Sequence, residues 1–542
     1  MITFNNNFNY RYYRVIIFLF CATWMPWSIA HPAVASIGEI KFPVSATNSL
    51  AQSYFKKGVL WLHSFEYQRA RAEFQKAQLL EPDLLMAYWG EAMTYNHPVW
   101  NEQDYRAGNN VLNKLGATDT LRESKAKTLR EKAYLHSVNV LYGNGNKRYR
   151  DHAYADVLRE LYRQYPNDNE AASFYALALL GISEGKRDFR GYMQSAGISA
   201  DIYEENLHHP GAMHYLLHAY DDPIHAPLGL RAARIYAKSA PDSPHALHMP
   251  SHIFLALGLW DDVIASNKAA WEAGLKENKS HQAYGFTIDD LHALQWLSYA
   301  YLQKKQYQLA LQQVSTMQAI AKQTKSPMAK WYYALMRSMY LTESHDWQAN
   351  LTSLDTTPIE LSSQLSDLYA NAKIALQNAD RKKGISVAKQ VLKEMQQRII
   401  NRKHKKESHV DYFTSITSQG LILAQIMVLE LQGQIQQLEG NLANAISLFK
   451  KATHLESNTS FGYGPPIPVE PSYELLATAY MLAGQYTAAY KEWIIDLKRM
   501  PNRVIAVEGL ANVKEKLKIA NLPIPEGITP YYNKLFSPNF YH

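Results

Sequence analysis

Apolar and small residues recur at helical spacing along residues 51–84, and the pattern is interrupted in the middle of that segment. Because positions three and four apart share one helix face, the pattern predicts two amphipathic helices joined by a turn. Small residues occupy the positions where the helices would cross, and large ones fill the space between them: Gly58, Trp61, Ala70, Phe74 and Ala77, followed by Pro82. The segment therefore predicts one helix–turn–helix unit.

The same pattern returns in three other segments. It is clear over 426–459 and 470–503 and weaker over 291–324, with these residues at corresponding positions: Gly433, Gly440, Ala445, Phe449 and Ala452; Tyr480, Gly484, Ala489, Trp493 and Pro501; Leu294, Tyr301 and Ala310. A helix–turn–helix unit of about 34 residues is the tetratricopeptide (TPR) repeat. The sequence thus predicts an all-α, TPR-like helical-repeat solenoid of antiparallel helix pairs, in which each unit packs on its neighbours.

Several changes in pattern predict the order of segments along the chain. We expect a signal peptide over 1–35, N-terminal TPR-like repeats over 45–200, central His-rich repeats over 201–325, helical repeats over 326–454, a Gly/Pro-rich loop over 455–472, a C-terminal repeat over 473–520 and a tail over 521–542. The loop is predicted because four prolines within it cannot continue a helix. It could cover a groove or act as a spacer, and the sequence favours neither.

The first 35 residues have the pattern of an export signal. Arg11 and Arg14 precede an apolar run over 15–24, and Ala33-Val34-Ala35 matches the small-residue pattern at which signal peptidase cleaves. The apolar run is shorter than the roughly 20 residues of a membrane-spanning helix, which disfavours an uncleaved anchor. We expect cleavage near Ala35, a mature chain without a transmembrane segment, and a periplasmic or secreted protein.

Composition excludes several classes of protein. The chain has 542 residues, 47% of them hydrophobic, which does not fit a disordered chain. A formal net charge of +7 is small for this length and indicates no nucleic-acid partner. Cys21 is the only cysteine and precedes the predicted cleavage site. A mature chain would therefore contain no disulfide, thiol nucleophile or thiolate metal ligand.

The histidines are concentrated in the predicted central repeats. Eight of the 20 histidines lie within residues 208–252. His214 and His218 are four residues apart, as are His248 and His252, so each pair would share one helix face. The two pairs are separated by 34 residues, which is one TPR period. If both pairs lie on first helices of successive repeats, four imidazoles should converge on the concave face.

Converging imidazoles without cysteine are typical ligands of Zn, Cu, Ni or Fe rather than of Ca or Mg. His209 and His245 lie about one turn before the two pairs and complete the predicted metal ligands: His209, His214, His218, His245, His248 and His252. Weaker candidates have no link to the repeat period: His97, His281 and the cluster Asp289-Asp290-Leu291-His292. Asp221 and Asp222 could add carboxylates to the site, but the sequence favours a role in capping the helix that starts near Pro223. Pro250 either opens a new helix or kinks a continuous one.

Two of these segments carry a family resemblance. They read HPGAMHYLLHAYDDPIH over 209–225 and PHALHMPSHIF over 244–254, with supporting matches over 86–100 and 464–476. They resemble a largely uncharacterised family of exported bacterial TPR proteins, and the resemblance covers most of residues 45–515. It implies a TPR fold and export, but no activity. The chain departs from the family at Tyr67, where relatives often have the histidine of a Phe-Asn-His sequence.

Two functions from different classes fit these observations. The first is a scaffold that binds a protein or peptide in a His-rich concave groove, which accounts for the repeats. The second is a His-ligated metalloprotein, or metal-dependent enzyme, which also accounts for the register of the histidines. The sequence contains no Gly-rich phosphate loop, His-Glu-x-x-His or Gly-x-Ser-x-Gly motif, and it does not predict a substrate, a catalytic residue or an oligomeric state.

Overall fold

A computed structural model describes residues 36–183, 187–281, 285–357, 359–377, 380–403, 413–414, 417–460, 462 and 464–525. The predicted signal peptide over 1–35 and the tail beyond residue 525 lie outside these residues, as does the side chain of His281. Of the helices within the described ranges, none is both long enough and apolar enough to cross a membrane.

The described residues are almost entirely helical. The N-terminal helices are α1 (Ser49–His63), α2 (Tyr67–Leu80), α3 (Leu85–Met93), α4 (Tyr105–Leu115), α5 (Asp119–Glu123), α6 (Leu129–Leu141), α7 (Lys147–Gln164), α8 (Asn169–Gly181) and α9 (Phe189–Glu205). Between α3 and α4, strands β1 (Asn96–His97) and β2 (Glu102–Gln103) pair antiparallel around a 3-10 turn (Pro98–Trp100). The sequence pattern did not predict this small ribbon.

The remaining helices continue the repeat. They are α10 (Pro210–Ala219), α11 (Ala226–Ser239), α12 (Pro244–His248), α13 (Pro250–Ala256), α14 (Trp260–His281), α15 (Ile288–Gln303), α16 (Tyr307–Thr324), α17 (Pro327–Ser344), α18 (Leu361–Leu376), α19 (Arg381–Lys403), α20 (Ser418–Leu438), α21 (Leu442–Ser457), α22 (Ser472–Leu482), α23 (Tyr486–Arg499) and α24 (Val504–Ile519). Successive helices pack against each other along the chain, and the predicted all-α helical-repeat fold is confirmed.

The four predicted repeats correspond to the pairs α1–α2, α15–α16, α20–α21 and α22–α23. Their packing explains the spacing of glycine and phenylalanine. A Cβ atom on Gly58 would lie 2.7 Å from the Phe74 ring, and one on Gly433 would lie 2.4 Å from the Phe449 ring. Since either distance is far shorter than a van der Waals contact, only glycine allows the two helices of each pair to approach so closely.

The helices that carry the histidines begin at clearly defined caps. The His209 ring caps α10, because its Nδ1 accepts a hydrogen bond from the Ala212 N–H (3.1 Å), and Pro210 is the first helical residue. Ser243 caps α12 in the same way. Pro250 is the first residue of α13, and Met249 between α12 and α13 keeps helical backbone angles (φ −52°, ψ −38°), so the two short helices follow each other directly.

The proline-rich connection is shorter than predicted. Helix α21 extends to Ser457 and α22 begins at Ser472, so the irregular segment spans 458–471. The difference arises because the prolines begin only at Pro465 and leave the preceding residues free to be helical. Val469 is buried in the main hydrophobic core. A Cβ atom on Gly464, whose φ is +103°, would lie 2.7 Å from the Trp296 ring, so the segment lies directly on that side chain.

The C-terminal repeat folds back onto the central helices. The Trp260 indole N–H donates to the Asn502 carbonyl (2.9 Å), and the Val504 N–H donates to the Gln303 side chain (2.9 Å). Between them, Arg503 is buried and donates to the Tyr299 hydroxyl (2.9 Å). The solenoid is thus closed by contacts between residues about 200 positions apart in the chain.

Candidate metal centre

Six buried or half-buried histidines form two groups of three. His214 and His218 on α10 meet His245 at the start of α12, and we call this group triad A. Triad B consists of His248 at the end of α12, His252 on α13 and His292 on α15. Within each triad, one ring nitrogen from every member lies within 4.8 Å of the other two. A single ion could therefore contact all three rings of a triad.

This arrangement differs from the predicted convergence of four imidazoles. The two i,i+4 pairs belong to different triads, and each triad takes its third ring from the start of a following first helix. His245, predicted as a possible additional ligand, and His292, a weaker candidate, supply those rings. His209 lies apart from both triads, and His97 stacks on Tyr67 with ring centroids 4.0 Å apart.

In triad A, the Nδ1–H groups of two rings donate hydrogen bonds to fixed acceptors. The His214 Nδ1–H donates to the His63 carbonyl (2.7 Å), and the His245 Nδ1–H donates to the Asp289 carboxylate (2.8 Å). A neutral imidazole carries only one N–H. Each Nε2 therefore presents a lone pair, and the two Nε2 atoms face each other at 3.1 Å.

Triad B repeats this arrangement with different acceptors. The Asn267 amide donates its N–H to the Val263 carbonyl (2.8 Å), which directs its oxygen towards the His248 Nδ1–H (2.7 Å). The His252 Nδ1–H donates to the Asp221 carboxylate (2.5 Å). The Nε2 atoms of His248 and His252 again face each other at 3.1 Å.

Two lone pairs that face each other at this distance repel unless a proton or a metal ion lies between them. Burial lowers the pKa of the His214 and His248 rings well below the usual value, and their histidine neighbours lower it further. Burial also lowers the pKa of His218 and His292 well below that value. These lowered pKa values favour the neutral form of the four rings, which is the form that binds a metal ion through a lone pair.

Each triad is packed against one large aromatic ring. Phe65 follows α1, and its ring centroid lies 4.1 Å from that of His214 and 5.6 Å from that of His245. Its backbone φ of 56° is unusual for a bulky residue. The Trp296 ring lies 4.5 Å from His252 and 4.9 Å from His248. Gly464, in the connection after α21, lies against the Trp296 ring on this side of triad B.

Asp221 and Asp222 have separate roles. Asp222 accepts hydrogen bonds from the backbone N–H groups of Ile224 and His225, which stabilises the turn before α11. This agrees with the capping role expected from the sequence, although α11 begins at Ala226 rather than near Pro223. Asp221 instead binds His252, so the capping prediction is wrong for that residue.

A third polar group has hydrogen bonds of its own. Glu170 accepts hydrogen bonds from the Nε2 atoms of His63 (2.6 Å) and His209 (3.2 Å), and the His63 Nδ1 contacts the Tyr215 hydroxyl (2.8 Å). Because His209 Nδ1 accepts the cap hydrogen bond from Ala212, both nitrogens of that ring are occupied. Although three ligand-type side chains meet here, their mutual hydrogen bonds account for the arrangement, and we assign the group to stability.

Acid should weaken the fold through Glu170. Burial raises the pKa of this carboxyl, but His209 and His63 outweigh that effect and lower it to about 2, below the usual value of 4.5. Because the folded-state pKa is the lower one, the carboxylate contributes stability that is fully present above pH 4.5 and is lost as the pH falls towards 2. We expect the urea midpoint to fall more steeply over this range in the wild type than in Glu170→Gln; parallel profiles would contradict this.

The carboxylates behind the triads should tune metal affinity. Asp289 and Asp221 hold the Nδ1–H of His245 and His252, which fixes the tautomer and raises the basicity of the ligand nitrogen. We expect Asp289→Asn and Asp221→Asn to weaken metal binding at triads A and B, respectively, by about 10–100-fold. Competition with a chromophoric chelator measures the change. Asp261→Asn, in an exposed ion pair with Lys304, is the matched control and should have no effect.

Comparisons with known proteins identify no family for this chain. No family model matches the chain, and no curated protein matches it. Among solved structures, the chain is similar to the TPR domain of P58(IPK), at 13% identity over 87% of this chain and 99% of that one, with a TM-score of 0.22. It is also similar to yeast Tom70, at 11% identity over 87% and 96% of the two chains, with a TM-score of 0.30. Likenesses this low carry no argument about function.

Proposed function

We propose that the protein binds two transition-metal ions, one in triad A and one in triad B. The facing Nε2 atoms carry this proposal: in both triads, two lone pairs lie 3.1 Å apart while the opposite ring nitrogens donate to fixed acceptors. Histidine ligands of metals usually have this arrangement, because the outer hydrogen bond selects the tautomer that exposes the ligand nitrogen. Its occurrence in two places argues against a chance contact.

The geometry and burial also suit an ion better than a peptide. In tetrahedral coordination, metal–nitrogen bonds of about 2.0–2.1 Å place ligand nitrogens roughly 3.3 Å apart, close to the 3.1 Å between the facing Nε2 atoms of each triad. The five rings apart from that of His292 are at most 4% exposed, so they do not line an open groove. Three imidazoles without cysteine favour Zn, Cu, Ni or Fe, and they leave one coordination position open at each ion.

Metal analysis of the full chain tests the proposal. The protein is purified without a polyhistidine tag, stripped with a chelator and reconstituted separately with each of the four metals. We expect two ions per chain for at least one metal. His214→Phe and His248→Phe keep the ring volume but remove one ligand from triad A or B, and each should bind one ion. His208→Phe replaces an exposed histidine and should still bind two.

Reconstitution with fewer than one ion per chain, for every metal, would refute the proposal. An equal number of ions in His208→Phe and in the two triad variants would refute the assignment to these residues. Circular dichroism shows whether each variant remains folded. Two other sequence-based functions stay predictions: binding of a protein or peptide, and export after cleavage near Ala35. N-terminal sequencing of the mature chain tests the latter.

A further inference from the structure

The two triads are almost as close to each other as their own members are. The nearest rings of different triads have centroids 5.6 Å apart (His218 and His252) and 6.2 Å apart (His245 and His248). Within the triads, the corresponding separations are 4.8 Å (His214 and His218) and 5.0 Å (His248 and His252). Ions held by adjacent triads would therefore be close enough to share one small bridging ligand, as paired metals do in other proteins.

We propose that triads A and B together form a dicopper centre that binds dioxygen between the two ions. This inference rests on the proposed metal binding and adds the identity of the metal and of its ligand. The identity of the donors favours copper among the metals that react with dioxygen. Non-haem iron sites of that kind typically include a carboxylate ligand, whereas these triads consist of histidine alone. Zinc has no redox chemistry, so it could not transfer electrons to dioxygen.

The charges around the triads fit two Cu(I) ions. One carboxylate lies behind each triad, Asp289 behind A and Asp221 behind B. Two singly charged ions would be balanced by these two carboxylates, while two doubly charged ions would leave two positive charges uncompensated in a buried site. Beside the triads, Arg187 pairs with Asp222, and Arg69 lies 3.9 Å from Glu66.

Dioxygen would supply the charge that the oxidised centre needs. Each Cu(I) ion transfers one electron to dioxygen, which becomes a peroxide dianion bridging two Cu(II) ions. The four positive charges are then balanced by the bridging dianion and the two carboxylates. No proton or further reductant is required, and release of dioxygen returns both electrons to copper. The centre is thus neutral in both states, which is the condition for a low cost of burial.

The surroundings of the rings limit the ligand to a small molecule. Phe65 packs on triad A, and Trp296 packs on triad B with Gly464 against its ring. His214 is fully buried, and His245 and His248 are each 2% exposed. A diatomic molecule can reach such a centre through small fluctuations of the packing, whereas a peptide or a large organic substrate cannot be accommodated without displacing these aromatic rings.

Copper loading followed by oxygenation tests the inference on the full chain. Stripped protein receives Cu(I) anaerobically, bound copper is measured, and dioxygen is then admitted. We expect two copper ions per chain, uptake of one dioxygen per two coppers, new charge-transfer absorption, and no electron paramagnetic resonance signal, because bridged Cu(II) ions couple their spins. The absorption should disappear under vacuum as dioxygen is released.

Variants with one intact triad distinguish the dicopper inference from the proposed metal binding on which it rests. After chemical oxidation, His214→Phe and His248→Phe should each hold one isolated Cu(II) ion with a full resonance signal, while His208→Phe should behave as the wild type. Wild-type protein that holds two coppers, takes up no dioxygen, and after chemical oxidation gives the signal of two isolated Cu(II) ions would overturn the dicopper inference alone. Two zinc ions without Cu(I) uptake would have the same consequence. Failure to bind any metal would instead overturn the proposed function.

Discussion

Replacing His245 and His248 together with phenylalanine should abolish stabilisation of the fold by metal. Each residue contributes one of the two facing Nε2 atoms in its triad. A ligand that binds only the folded state stabilises it by about 4 kcal/mol when its free concentration is 1,000 times its Kd. We expect a gain of this size for each occupied site in the wild type and none in the double variant. Urea unfolding with and without the metal, at a buffered free concentration, measures it.

The test compares the free energy of unfolding with and without the metal. The stability of the metal-free variant alone does not decide it. Phenylalanine at these positions leaves the acceptors Asp289 and Asn267 without their histidine donors, so the metal-free variant should already be weakened. Titration with Ca²⁺ is the control ion, since it prefers oxygen ligands and should not stabilise the wild type. A metal-dependent gain that survives in the double variant would place the ions elsewhere in the protein.

Removing the charge of Arg503 should destabilise the fold by about 3–5 kcal/mol, because it leaves buried carboxylates without their cation. The guanidinium is 1% exposed, and it lies 2.5 Å from both the Glu343 and the Glu474 carboxylates. Arg503→Met keeps much of the side-chain volume, so the loss reflects charge more than packing. Equilibrium urea unfolding of the metal-free protein measures the change in the free energy of unfolding.

An exposed ion pair nearby provides the comparison. Lys305 pairs with Glu508 at the surface, and exposed pairs of this kind typically contribute about 0–1 kcal/mol. Lys305→Met should therefore have a small effect. If Arg503→Met were no more destabilising than this control, the buried glutamates would have to be protonated in the variant, and its stability would then fall as the pH rises.

The repeat architecture could be predicted because it depends on local spacing. Gly58 and Phe74 meet within one helix pair, and their counterparts Gly433 and Phe449 meet in the same way. The i,i+4 histidine pairs were found for the same reason. The two pairs lie in neighbouring triads rather than in one group of four rings. Equal register in successive repeats places residues on neighbouring helices but does not determine which third ring completes each group. The starts of α12 and α15 decide that.

The missed residues are those brought to the site from distant or irregular positions. His292 was a weaker candidate rather than a missed one, because it lies 47 residues after His245. This separation exceeds one repeat period, since α14 alone has 22 residues. Asn267 orients His248 from α14, a contact that no motif marks. His63 contributes its carbonyl from the first repeat, a backbone contact that no sequence motif marks. Such contacts depend on the path of the whole superhelix.

The return of the C-terminal repeat to the centre has a consequence for how this protein can evolve. In an open solenoid, units can be duplicated or deleted because each one touches only its neighbours. Here Asn502 and Arg503 must meet Trp260 and Tyr299, and Phe65 must meet α10. Inserting one 34-residue unit between these partners would shift them out of register. We therefore expect the number of repeats to be constant among proteins that keep these long-range contacts. The sequences of their outer helical faces should vary more freely.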